Sequence, residues 1–199
     1  MEHLEPISAD ELSVTISELL VATADSSDPL LDDSVSELLH AMRQRMEMDV
    51  VFVSEFVDGR RMFRFVDAAP GAPGIHAGES SPAEESVCQL VVEGRVPELV
   101  HDLSALPSDQ LPPLAFRIGA HLSTPIVVTG PRVYGTLCCF STAPRPELVQ
   151  ADLEKLRMCA KLVARKVELN AARGIKEPPP DWRLQPLDEY ESPAWRSRA

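Results

Sequence analysis

The side chains in this chain that could do chemistry on, or hold, a small molecule fall in three short stretches. They are Ser86, Cys88 and Gln89; His101 and Asp102; and Arg117, His121, Ser123 and Thr124. Between them they supply a thiol, two imidazoles, a guanidinium, a carboxylate, one amide and three hydroxyls. A few such groups inside an apolar cleft are what fixes a ligand's orientation. Each also has an ordinary structural use. Free cysteine is among the most buried residue types, so Cys88 reads as a packed small hydrophobe before it reads as a sensor thiol. A nucleophilic thiol needs a cation or a helix start beside it, and the neighbouring acids Glu84 and Glu85 would raise the Cys88 pKa. His101 and Asp102 could be a base and its orienter, but adjacent strand residues face opposite ways, which favours a capping or loop hydrogen bond. Arg117 either binds an anionic ligand or pairs with Asp109 or Glu84.

The four cysteines, Cys88, Cys138, Cys139 and Cys159, contain no Cys-x-x-Cys pair. That spacing argues against a cysteine-rich zinc site and against a disulfide framework, and suits a reducing compartment. Alternation along a strand puts Cys138 and Cys139 on opposite faces, so the two cannot share one pocket wall. No metal ligands are assigned.

The net charge of −12 is unevenly spread, because residues 1–42 carry ten acids and no Lys or Arg, leaving −2 for the remainder. No dense basic stripe is present that could neutralise several phosphates, which excludes nucleic acid as the expected partner. No apolar run reaches the ~18 residues of a membrane span. The opening Met-Glu-His-Leu-Glu-Pro lacks the basic residues of a secretory signal, and the chain reads as cytoplasmic. Three parts are expected: an acidic helical extension over residues 1–32, one domain over 33–170, and a Pro-rich, disordered tail over 171–199 with Trp182, Tyr190 and Trp195 as motif anchors.

The elements that must position these groups are organised around residues 49–66, where two β-rich runs flank Asp58-Gly59, a strong hairpin signal. Val51, Val53 and the stem of Glu55 share one face of the first arm; Val50, Phe52, Ser54 and Phe56 share the other. Bulk on both faces predicts a central strand. The second arm alternates, with Met62, Arg64 and Val66 against Arg61, Phe63 and Phe65, and reads as the outer partner with one face in water. Before the hairpin, Ser8 to Thr23 and a segment capped by Ser34 and Glu37 read as helices, the second burying Val35, Leu38, Leu39, Met42 and Met46. After it, residues 67–82 read as a long loop. Ala83–Glu93 reads as a helix, Pro97–Asp102 as a short strand and Leu114–Ile118 as a helical turn. Residues 121–128 and 133–141 read as a second hairpin. A last helix is expected from Pro146 to Asn170, with Val149, Leu153, Leu156, Ala160, Val163 and Val167 on one stripe and Cys159, Leu162 and Leu169 on a flank left for a partner helix.

Asp49-Val-Val-Phe-Val-Ser-Glu-Phe-x-Asp-Gly-Arg-Arg-x-Phe-Arg, Glu85-Ser-Val-Cys-Gln, Pro97-Glu-Leu-Val-His-Asp, Ile118-Gly-Ala-His-Leu-Ser-Thr-Pro-Ile and Tyr134-Gly-Thr-Leu-Cys-Cys-Phe together resemble a bacterial GAF domain over about residues 33–170. The likeness is greatest to those GAF domains that precede cyclic-di-GMP-metabolising output domains, although none is read after Asn170 and Val87 stands where Tyr is usual. The resemblance implies an α+β, PAS-like fold, with a central antiparallel sheet of five to six strands and helices on both sides. It places the first and last helices on one face and a small-molecule pocket on the other, which Ser86, Cys88, Gln89, His101, Arg117, His121 and Ser123 would line.

The family does not by itself name a ligand. Bilin-binding relatives use a Cys in the segment that here reads Pro112-Pro-Leu-Ala-Phe-Arg-Ile-Gly119, so covalent bilin is not expected there. The Asn-Lys-x-Asp-type pattern of cyclic-nucleotide binders is missing, and haem would have only His76, His101 or His121 as axial candidates. The first functional expectation is therefore a sensory module that binds an unidentified small molecule and signals through a protein partner. The alternatives are a homodimerisation module working through the terminal helices with a vestigial pocket, and a thiol enzyme resembling the GAF-fold free methionine sulfoxide reductases.

Overall fold

The computed structural model describes residues 31–130 and 132–172. The acidic helix expected over Ser8–Thr23, residue 131 and the Pro-rich tail lie outside the described residues. Helix α1 (Leu31–Arg45) leads into strands β1 (Val50–Val57) and β2 (Arg60–Ala68). A short strand β3 (Ser80–Pro82) follows, then a 3₁₀ turn (Ala83–Glu85) and helix α2 (Val87–Val92). Strand β4 (Leu99–Val100), two 3₁₀ turns (Leu103–Ala105 and Ser108–Gln110), strands β5 (His121–Val128) and β6 (Arg132–Phe140) and helix α3 (Gln150–Ala172) complete it.

All six strands form one antiparallel sheet in the order β3-β2-β1-β6-β5-β4. The β1–β2 turn is made by Asp58 and Gly59 at φ of 50° and 72°, the left-handed region those two residues tolerate best. β1 is central, as its two bulky faces require. β2 is not the outer strand, because Ser80, Ser81 and Pro82 at the end of the expected loop pair with Met62, Arg61 and Arg60.

The clean alternation expected for β2 also fails. The register shifts between Val53, opposite Phe65, and Ser54, opposite Phe63, so Arg64 is an extra residue in a β-bulge. Phe63 and Phe65 therefore go to opposite faces: Phe65 packs with the helical layer, and Phe63 meets Phe52 edge-on at a ring separation of 5.1 Å. The displaced Arg64 donates from Nε to the Glu55 carboxylate at 2.6 Å.

On one face α1 and α3 cover Val51, Val53, Leu122, Ile126, Leu137 and Cys139 with Val35, Leu38, Leu39, Met42, Met46, Leu153, Leu156, Ala160 and Val163. Several boundaries differ from the expected ones. α1 begins at Leu31, so Ser34 lies inside the helix and not at its start. α3 begins after Val149, whose N–H donates to the Asp152 carboxylate at 3.1 Å. This leaves the Val149 side chain outside the buried stripe, 54% exposed. Cys159, assigned to a partner-facing flank, is fully buried in the core and Leu162 is half-buried against it.

The opposite face carries Val50, Phe52, Phe63, Cys88, Cys138 and Phe140, and beside them a cluster of Val87, Leu90, Val91, Val96, Val100 and Leu103. The helix expected over Ala83–Glu93 is broken at Ser86, whose backbone is extended. Its Oγ donates to the Ala83 carbonyl at 2.7 Å and accepts the Gln89 N–H at 3.2 Å, so this serine ends one turn and caps the next. Residues 114–118 are not helical. A single turn following Pro112-Pro113 cannot recover the cost of helix nucleation. The strand expected over Pro97–Asp102 shortens to Leu99–Val100. No helix of the described residues is long and apolar enough to cross a membrane.

Gly135 sits where β6 passes β1. A Cβ there would stand 2.7 Å from the Ser54 carbonyl carbon and 2.8 Å from the Glu55 Cα. Because backbone and not a flexible side chain is in the way, Gly135→Ala should lower the unfolding free energy by about 2 kcal/mol or more. Urea denaturation checks this: the midpoint falls at unchanged slope, and an unchanged midpoint would refute the crowding.

Candidate functional site

On the sheet face away from α1 and α3 a cavity of about 320 Å³ opens between β1, β2, β6, the start of α2 and the irregular segment 113–118. Its walls are aromatic: Phe52, Phe63, Phe116 and Phe140, with Phe116 stacked on Phe140 at 5.4 Å. Into this enclosure project Arg61 from β2, Cys88 from α2 and His121 from β5, and the exposed Glu79 and Glu85 also line it. The size lies near the lower end of the ~300–1,000 Å³ range of small-molecule sites, and an apolar wall with a few convergent polar groups is their usual construction.

Arg61 is held by several contacts. Its Nη2 donates to Ser81 Oγ at 3.1 Å, its Nη1 approaches Cys88 Sγ at 3.5 Å, and its guanidinium carbon stands 4.7 Å from the centre of the Phe63 ring. Stacking on an aromatic face keeps the cation inside the cavity. Its Nε nevertheless has no hydrogen-bond partner although buried, and the same is true of Nδ1 of His121, a residue only 2% exposed.

Cys88 and Cys138 meet beside these groups with their sulfurs 3.1 Å apart. Cys138 in turn contacts the hydroxyls of Ser123 at 3.0 Å and Thr136 at 3.1 Å, and Thr136 bonds Ser54 at 2.9 Å. The hydrogen bond from Cys138, and after it His121 and the charge of Arg61, hold the Cys88 thiol well below its ordinary pKa against the opposing effect of burial. Burial, reinforced by the Cys88 thiolate, pushes Cys138 well above it. On the other face of the sheet burial raises Cys139 and pushes Cys159 up to about 12. Glu84 and Glu85, expected to raise Cys88, are exposed on the 3₁₀ turn, and the Cys88 thiol is shifted down and not up.

Of the residues singled out from the sequence, Ser86, Cys88 and His121 reach the cavity wall. Ser86 does so with its hydroxyl engaged in capping. Ser123 lies behind the wall against Cys138. Gln89 turns outward to Glu93 at 3.0 Å. His101 is exposed and bonds the Leu148 carbonyl at 2.9 Å, while Asp102 caps the next turn through the Ser104 N–H and hydroxyl, which hold its carboxyl below the usual range. Thr124 faces α3. Arg117 is exposed and outside the cavity wall; the cation there is Arg61. The signal that could have found Arg61 is its i, i+2 relation to Phe63 beside the turn, which puts both on one face. Of the three histidines considered for haem, only His121 reaches the cavity; His76 and His101 are exposed.

The family model of the GAF domain matches residues 30–168. No curated protein matches the chain in sequence. Among solved structures, the GAF domain of a phosphoenolpyruvate-protein phosphotransferase from Acinetobacter is similar with a TM-score of 0.61 at 18% identity, covering 85% of this chain and 98% of that one. The phycocyanobilin-bound GAF domain of a cyanobacterial phytochrome is similar at 0.65 and 15%, covering 81% and 96%. Free methionine-R-sulfoxide reductase from Neisseria meningitidis, in complex with its substrate, is similar at 0.64 and 14%, covering 87% and 99%. At these identities the likeness is one of fold.

Cys88 is the one cysteine in the cavity wall. A small neutral alkylating reagent applied to the native, reduced protein should therefore modify Cys88 at least about tenfold faster than Cys139 or Cys159. Peptide mass mapping against time checks this, and equal rates for the three would refute the assigned access route.

Proposed function

The chain belongs to the GAF domain family, and we propose that it is a sensory module that binds a small molecule in the cavity over β1 and β6 and passes the binding event to a protein partner at the helical layer. The observation that carries this reading is the pair of buried polar atoms without partners, Arg61 Nε and His121 Nδ1, on side chains that line the same cavity. A buried donor left unsatisfied costs about 1–3 kcal/mol, and a ligand that supplies the missing partner recovers it. The fixed guanidinium and the aromatic walls select a compact molecule with a flat apolar part and an anionic or strongly accepting group. A ligand moves an equilibrium only through its different affinity for two states. The partner must then read a surface that differs between them, and the outer faces of α1 and α3, on the far side of the same strands, are placed for it.

A thiol enzyme is the second reading that an observation favours. Cys88, its pKa held down, stands beside Cys138, a pair that can reduce a sulfoxide: Cys88 takes up the oxygen as a sulfenic acid as the thioether leaves, and Cys138 displaces that oxygen as water to form the disulfide. Consumption of free methionine sulfoxide in the presence of a dithiol reductant, lost on Cys88→Ser, would favour it over the sensor.

Ala115 lines the cavity from its solvent side, so Ala115→Trp narrows the space without overpacking a core. In a thermal-shift screen of small aromatic carboxylates and phosphates, a saturating ligand should raise the parent Tm by roughly 5–10 °C and leave the variant nearly unmoved. A parent that responds to none of them, or a variant that responds equally, would overturn the cavity as the binding site.

A further inference from the structure

We propose that Cys88, His121 and Cys138 form a three-ligand site for one thiophilic divalent cation of the zinc class, whose fourth coordination position faces the cavity. The three residues come from α2, β5 and β6, and their ligand atoms all lie within 4.8 Å of one another. Tetrahedral Zn²⁺ at ~2.3 Å from sulfur and ~2.0–2.1 Å from nitrogen requires ligand atoms roughly 3.4–3.8 Å apart. The sulfurs at 3.1 Å need to separate by about 0.7 Å, and the imidazole nitrogen to close from no more than 4.8 Å to about 3.5 Å, changes that side-chain rotations at the three residues can supply.

Donor type, burial and surroundings all point the same way. Two thiolates and an imidazole are a soft set that selects Zn²⁺ over Mg²⁺, Ca²⁺ or Mn²⁺. The residues are 1%, 2% and 0% exposed, so a bound cation would be shielded from water on the side of the sheet. With a metal bound both sulfurs would be thiolates, and a divalent cation would compensate their buried charge in full. The hydroxyls of Ser123 and Thr136, both within about 3.1 Å of Cys138 Sγ, are outer groups of the kind that orient and tune a metal-bound thiolate. His121 has a buried ring nitrogen with no hydrogen-bond partner, an arrangement that leaves its ring free to present one nitrogen to a metal.

Cys88 and His121 line the cavity and Cys138 does not, so the metal would sit against the sheet with its open position toward Arg61 and the aromatic walls. Three protein ligands and one exchangeable position are the composition of a site that binds an exogenous group and not of a closed structural one. This inference rests on the cavity being the sensory site and deepens it: the anionic end of the small molecule would complete the metal's coordination beside Arg61.

The test uses the full chain, fully reduced and stripped of metal. Titration with Co²⁺ should give one equivalent per chain, with the intense visible bands of tetrahedral cobalt and a near-ultraviolet thiolate charge-transfer band, both displaced by Zn²⁺. Cys88→Ser and Cys138→Ser should each weaken binding at least about 100-fold, whereas Cys139→Ser should bind as the parent does. As a measurement that needs no variant, Zn²⁺ should protect Cys88 and Cys138 of the parent from alkylation. Absence of cobalt bands in the reduced parent, or bands that survive loss of either thiol, would overturn the metal site. The two readings fail separately: a Tm response to aromatic anions in metal-free protein without any cobalt site overturns only the metal. A cobalt site whose protein responds to no aromatic anion, metal-loaded or metal-free, overturns the organic ligand and leaves the metal standing.

Discussion

The antiparallel register of β1 against β6 is the constraint on which the rest of the molecule depends. Both strands lie in the interior of the sheet, so every residue on either must be assigned to one of two packed faces. Val51 opposite Cys139 and Val53 opposite Leu137 belong to the helical side, and Val50 opposite Phe140 and Phe52 opposite Cys138 to the cavity side. A slip of one residue would exchange the two cysteines and carry the phenylalanines to the wrong core. Two local features hold the register. Gly135 lets β6 pass Ser54 at a separation no side chain would permit, and the Ser54 and Thr136 hydroxyls satisfy one another next to it. A buried hydroxyl pair of this kind is worth little when made but costs about 1–3 kcal/mol when broken, so it discriminates against alternatives more than it stabilises.

The chemistry of the cavity follows from this register. Cys138 is fixed by the sheet, His121 by its place at the start of β5, and Cys88 by the α2 start that Ser86 creates. Ser86 breaks what would otherwise be one continuous helix, and the break sets the direction in which Cys88 leaves the chain. Arg61 closes the arrangement from the other side of β1, carried there by the tight Asp58-Gly59 turn and kept by the Phe63 ring. A guanidinium, an imidazole and two thiols are thus brought together at one wall of the cavity. There the close contact of the two sulfurs lowers the Cys88 pKa, and burial with the neighbouring Cys88 raises that of Cys138.

What the sequence made legible was local. The hairpin turn, the two-faced β1, the buried stripe of α1 and the opposite facing of Cys138 and Cys139 all follow from turn chemistry and from the 2.0 and 3.6 residue periods. What escaped it depended on partners distant in the chain. The bulge at Arg64 has no signature of its own, and without it Phe63 and Phe65 would share a face. β3 is three residues long and owes its existence to the edge that β2 offers. Arg117 looked like the pocket cation because it stands in the segment before β5, yet that segment enters the wall through Phe116 and Ile118 and turns Arg117 outward. The absence of Cys-x-x-Cys spoke only against ligands from one loop. It could not speak to thiols and an imidazole gathered from three elements.

The same register bears on how a cavity event could be felt by the helices. Leu137 and Cys139 lie in the cluster that holds Leu156 and Cys159 of α3, and their immediate neighbours along β6, Thr136 and Cys138, belong to the cavity side. Interiors are close-packed and nearly incompressible, so a strand cannot shift toward the cavity without drawing on the layer behind it. Partly buried ion pairs, Arg43 with Asp67 and Arg157 with Glu98, fasten α1 to β2 and α3 to the β4 approach at the rim of that layer. Pairs near the surface add little stability, but each ties a helix to one point at the edge of the sheet. Under the proposed sensory role, a ligand that displaced β6 on one face would bear on the packing of α3 across the other. That is a surface difference a protein partner can read.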